Sequence, residues 1–125
     1  MMYPKSIDIA QDDITPSADP FYYLAKAQVA IKEDNLHLVL ENLVMAHSIV
    51  PDEIDILAAI AEVQVKLEHW KEMLPILDLL INLQPDELNW RINRLAALIS
   101  CENYEQVVEE ALPLLETYPQ QKETL

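Results

Sequence analysis

Pro51-Asp52-Glu53-Ile54 returns 34 residues later as Pro85-Asp86-Glu87-Leu88, and Pro119 follows after another 34. The same step relates Trp70 to Tyr104, each two residues after a glutamate, Glu68 and Glu102. Running backwards, it aligns Leu36 with Trp70 and Lys32 with Lys66, and it pairs Ala25, Ala27 and Val29 with Ala59, Ala61 and Val63. Chance supplies one such match, but not this many in a single register. The chain therefore reads as three units of 34 residues, and a period of that length signals a stacked repeat architecture.

Within a unit the apolar spacing is helical. Ile92, Leu95, Ala96 and Ile99 fall at i, i+3, i+4 and i+7, as do Leu36, Val39, Leu40 and Leu43, which is the stripe of an amphipathic helix. Asp19 before Pro20 reads as an N-cap followed by proline at the first helical position. Polar breaks at Glu33-Asp34-Asn35, Glu68-His69 and Glu102-Asn103 divide each unit into two helices. The Pro-Asp-Glu segments separate the units, because the residue before a proline resists helical geometry.

These signals predict an all-α chain with helices at about 20–33, 36–49, 53–67, 70–83, 87–100 and 104–117. Pro75 and Pro113 fall inside the fourth and sixth and are expected to kink them. The expected organisation is an α-solenoid of three helix–turn–helix units, at 19–50, 51–84 and 85–119. Polar, aperiodic tails are expected at 1–18 and 120–125.

Composition removes whole classes of function. The 125 residues hold 8 Lys plus Arg against 22 Asp plus Glu, a formal charge of −14. A chain so acidic repels the phosphate backbone of nucleic acids and anionic membrane surfaces. Glycine is absent altogether, whereas average usage is roughly 7%. Gly-rich phosphate loops, dinucleotide fingerprints and G-x-S-x-G elbows are thereby excluded. No apolar run approaches the length of a membrane span, and Met1–Ala10 has no signal-peptide core. The single cysteine, Cys101, cannot form an internal disulfide. The expectation is a cytoplasmic protein without membrane insertion.

No catalytic or metal-ligating constellation emerges, and no cofactor is expected. His37 and Glu41 have the i, i+4 spacing of a shared metal but lack a third ligand at helical spacing. Cys101 is read as a buried or half-buried thiol near a helix end, with nothing local to activate it.

A 34-residue helix–turn–helix unit closed by proline resembles the tetratricopeptide repeat family, over roughly residues 18–119. In that family a small residue of the first helix packs on a small residue of the second, which opens with an aromatic. Ala27, Ala61 and Ala96 look like the first small position, and Ala46 looks like the second, where Leu80 and Leu114 depart from the pattern. Trp70 and Tyr104 match the aromatic, where the first unit has Leu36.

The resemblance implies a concave groove, lined by the first helix of each unit, that receives a peptide or helix of a partner protein. Five of the eight basic residues lie on those helices: Lys26, Lys32, Lys66, Arg91 and Arg94. If Ile92, Leu95, Ala96 and Ile99 face the core, then Trp90, Asn93, Arg94, Ala97 and Ser100 turn towards the groove. Trp90 has two readings, as a groove anchor or as packing against the preceding helix. The candidate partner-binding set is Lys32, Lys66, Trp90, Asn93 and Arg94, since Trp and Arg are enriched at binding hot spots. Family members that clamp acidic chaperone tails use Lys or Arg and Asn, where this chain has Leu24, Gln28 and Ala59. An apolar or mixed apolar and basic segment is thus the expected ligand.

Size, acidity and three repeats together resemble the tetratricopeptide-type chaperones of type III secretion, which hold hydrophobic export partners in solution. The alternative expectation is a scaffold or homo-oligomer. Val107, Val108, Ala111, Leu112 and Leu115 crowd the last helix with apolar surface, which either the C-terminal tail folded back or a second molecule is expected to cover.

Overall fold

The computed structural model describes residues 18–118, which form six α-helices and, among the described residues, no strand. They are α1 (Pro20–Lys32), α2 (Leu36–Ile49), α3 (Ile54–Lys66), α4 (Trp70–Leu83), α5 (Leu88–Ser100) and α6 (Tyr104–Thr117). The expected tails lie outside the described residues, apart from Ala18. No described helix is long and apolar enough to cross a membrane.

Three short turns, 34 residues apart, join α1 to α2, α3 to α4 and α5 to α6 in the same way. Asp34, Glu68 and Glu102 adopt left-handed backbone, with φ of 56°, 58° and 61°. In the first turn the N–H of Asp34 donates to Ile31 O and that of Asn35 to Ala30 O. Glu68 and His69 repeat the pattern on Val65 and Gln64, and Glu102 and Asn103 on Ile99 and Leu98. Helices α1, α3 and α5 thus end in a Schellman motif, which satisfies their last carbonyls and reverses the chain in three residues. Glycine usually occupies the left-handed position, and in this glycine-free chain an acidic side chain does.

The next residue in each turn then opens the following helix. Asp19 Oδ1 accepts from Phe21 N–H at 3.0 Å before α1, and Asn35 Oδ1 accepts from Leu38 N–H at 3.2 Å before α2. His69 and Asn103 occupy the equivalent cap positions without a side-chain capping bond. Between pairs, Val50, Gln84 and Tyr118 leave the helix at φ of −125°, −133° and −130°. Each precedes a proline, whose ring disfavours helical geometry at the residue before it.

The described chain falls into two compact units, divided between Glu53 and Ile54. In the first, Tyr23, Ala27 and Ala30 of α1 and Val39, Leu43 and Ala46 of α2 are buried. Asn42 is buried with them, its Nδ2 donating to Leu38 O at 2.9 Å. In the second, Leu57 and Ala61 of α3 pack with Met73, Leu77 and Leu80 of α4 and with Ala97 of α5. Leu114 is the buried anchor of α6.

The expected face of α5 is corrected by this packing. Leu95, Ala97 and Leu98 are buried, whereas Ala96 is exposed and Ile99 is 44% exposed. Ala97, not Ala96, is the small residue in the core. The reason is that α5 packs against α4 on one side and α6 on the other, so its buried arc is set by two neighbours.

Pro75 and Pro113 sit within α4 and α6, and both helices continue through them. Both prolines are exposed. Each leaves the carbonyl four residues before it without an i+4 backbone donor.

Candidate partner-binding groove

In the second unit, α3 and α5 flank an open hollow of about 290 Å³. Ala58, Ala61 and Val65 of α3 form one wall, Met73 of α4 contributes from below, and Trp90 and Asn93 of α5 form the other wall. The hollow exists because two α3 positions carry only a methyl group opposite the large indole. Its volume falls at the lower end of the range of small-molecule sites, roughly 300–1,000 Å³. It has room for one or two side chains.

Trp90 packs on the interior of its unit and borders the hollow. The ring is half-buried against the Leu57–Met73–Leu77 core cluster and also lines the hollow. Its Nε1 donates to Gln84 Oε1 at 2.8 Å. A rigid aromatic with its polar edge already satisfied presents an apolar surface at little entropic cost.

Lys66 stands at the rim beside Glu62, with Nζ 3.8 Å from the carboxylate. The two side chains are 57% and 71% exposed, so this i, i+4 pair contributes little to stability and leaves the ammonium accessible. Asn93 is half-buried in the opposite wall. Lys32 is exposed in the last turn of α1, in the other unit.

Arg94 departs from expectation. Its side chain is 17% exposed, with Nη1 2.7 Å from Asp78 Oδ1 on α4 and Nε 2.9 Å from Glu110 Oε1 on α6. Gln106 Nε2 donates to the other oxygen of Glu110 at 2.8 Å. The guanidinium binds three helices together and does not line the groove. Arg91 is also engaged, donating from Nη1 to Pro85 O. Both arginines border a separate hollow of about 310 Å³ with Ile81, Glu109 and Pro113.

Cys101 is exposed, which corrects the expected burial. It follows the last residue of α5 as its C-cap, where the chain turns outward. A third hollow, about 440 Å³, brings it near Lys71 and Leu74. His37 and Glu41 are exposed on α2, and among the described residues no three metal-ligating side chains gather.

The sequence reading missed Gln84, Met73 and Ala58. Gln84 precedes Pro85 and reads only as a separator, and Ala58 differs in no visible way from its alanine neighbours. Their roles come from helix packing across the unit. No protein-family model matches the chain, and no curated protein sequence matches it.

Proposed function

We propose that the chain is a non-catalytic protein-binding module of three tetratricopeptide-like repeats. Its groove between α3 and α5 holds an apolar side chain of a partner, with basic residues of the same segment beside it. One observation carries the reading: an apolar, open hollow bounded by a fixed tryptophan and an accessible Lys66–Glu62 rim. The 34-residue recurrence of one turn geometry at Asp34, Glu68 and Glu102 supports the repeat assignment.

Trp90, Asn93 and Lys66 remain in the proposed site; Arg94 leaves it, since its charge is already neutralised by Asp78 and Glu110. The charge of −14 supports a role as a small cytoplasmic chaperone or adaptor. Self-repulsion keeps a complex dispersed while apolar surface is being held, the property that the type III secretion chaperones exploit.

A random peptide library displayed on phage tests the reading. The wild-type protein is expected to enrich segments with a bulky apolar residue next to Lys or Arg. Trp90→Ala removes one wall, and Ala58→Met fills the hollow from the other without deleting any core atom. Both are expected to lose the enriched peptides while remaining helical. Equal enrichment by the Ala58→Met protein would place binding elsewhere.

A further inference from the structure

The first and last described helices each leave an apolar stripe uncovered. On α6, Tyr104, Val108 and Leu112 succeed one another at i, i+4 and i+8, and they are 59%, 56% and 57% exposed. On α1 the same spacing runs through Phe21, Ala25 and Val29, all exposed, with Phe21 at 74% and Val29 at 56%. Residues four apart stack along one helix face, so each stripe is an apolar ridge about two turns long.

The two helices carry opposite charge. Acidic Glu105, Glu109, Glu110 and Glu116 occupy α6, which has no basic residue. Lys26 and Lys32 occupy α1, which has no acidic one. The same complementarity already operates inside the chain. The α5 helix, with Arg91 and Arg94 and no acid, packs on the other side of α6 through the Arg94–Glu110 pair.

We propose that the Tyr104–Val108–Leu112 face of α6 in one copy docks on the Phe21–Ala25–Val29 face of α1 in a second copy. Charge decides between the possible pairings. Two α6 helices brought together would oppose Glu105, Glu109 and Glu116 of one to the same three of the other, and like charges in contact are unfavourable. An α1 helix instead brings lysines to that acidic edge. Antiparallel packing places Lys32 near the N-terminal turn of α6, where Glu105 stands. The contact is heterologous, so two copies can close it reciprocally or further copies can extend it. One helix face per partner is a small interface, below about 1,200 Å², which makes association weak and concentration-dependent.

The proposal does not depend on the groove between α3 and α5. Sedimentation velocity of the full chain over a concentration series tests it. Wild-type protein is expected to pass from monomer to dimer or larger species as concentration rises. Phe21→Arg/Val29→Arg blocks α1 and Val108→Glu/Leu112→Glu blocks α6, and each variant alone is expected to be monomeric. Mixing the two leaves one free face of each kind and is expected to restore a 1:1 complex that grows no further. All four positions are exposed, so circular dichroism should show unchanged helix. Lys32→Glu, which touches no apolar contact, is expected to weaken wild-type association by about tenfold at low salt and less at high salt. A wild-type monomer at every concentration overturns the proposal. So does self-association of the variant blocked on α1, which would mean that α6 pairs with itself.

Discussion

Trp90 Nε1 donates to Gln84 Oε1 at 2.8 Å, so the proposed anchor of the groove is held by a residue from the preceding inter-helix segment. Gln84 is also the non-helical residue that precedes Pro85. One residue thus ends α4 and orients the indole. Gln84→Met is expected to leave the indole N–H without its partner and to cost about 1 kcal/mol in urea unfolding. Trp90→Phe has no N–H to satisfy, so adding Gln84→Met to it should cost much less. A double-mutant cycle checks this coupling. Peptide binding should fall more in Gln84→Met than its loss of stability alone accounts for, because the ring loses its fixed orientation.

Arg94→Met is expected to destabilise by about 1–3 kcal/mol. It leaves Glu110, 31% exposed, without its cation, and it removes the link among α4, α5 and α6. Lys66→Met should change stability by less than about 0.5 kcal/mol, because its pair with Glu62 is exposed. The two cations are expected to separate cleanly by assay. Loss of Lys66 should alter peptide selection with stability intact, and loss of Arg94 should lower stability with peptide selection intact. Parallel denaturation and library selection on both variants measure the difference.

The helix positions were legible because punctuation, not propensity, defines them. Prolines at 51, 85 and 119 and polar breaks between them place α2, α4 and α6 at their observed limits. The face of α5 was not legible, since Leu95–Ile99 is an unbroken apolar run that satisfies several helical stripes. Only contact with both α4 and α6 selects Ala97 over Ala96. Arg94 was read as a ligand contact for a related reason. Its two carboxylate partners lie 16 residues away in each direction, beyond any local pattern. Lys66 and Trp90 both border the hollow and sit on first helices of successive units, a placement that the 34-residue period makes legible.

The three left-handed turn residues should respond to glycine. Glu68→Gly and Glu102→Gly remove the clash between Cβ and the following carbonyl at φ of 58° and 61°. Each is expected to stabilise by up to about 1 kcal/mol, less whatever glycine adds to unfolded-state freedom. Glu68→Val places a β-branched side chain in the same geometry and should destabilise by more than about 1 kcal/mol. Thermal unfolding of the three variants orders them, with Glu68→Gly highest and Glu68→Val lowest.

Pro75 and Pro113 test whether an interrupted hydrogen-bond ladder is tolerated or used. Each stands on an exposed part of a helix that continues beyond it, and neither side chain is part of the core. Replacement by alanine restores a backbone N–H facing Lys71 O or Glu109 O, and it removes the ring from the turn before it. Pro75→Ala is therefore expected to stabilise by about 1 kcal/mol or more in urea unfolding. Pro113 differs in one respect, because its ring borders the hollow beside Arg91 and Glu109, and Thr117 Oγ1 donates to its carbonyl at 3.0 Å. Pro113→Ala should stabilise less than Pro75→Ala, since among the described residues only α5 packs against α6 and its last turn already relies on that side-chain bond. A loss of more than about 1 kcal/mol at either position would mean that the proline bends its helix into the packing that the native fold requires.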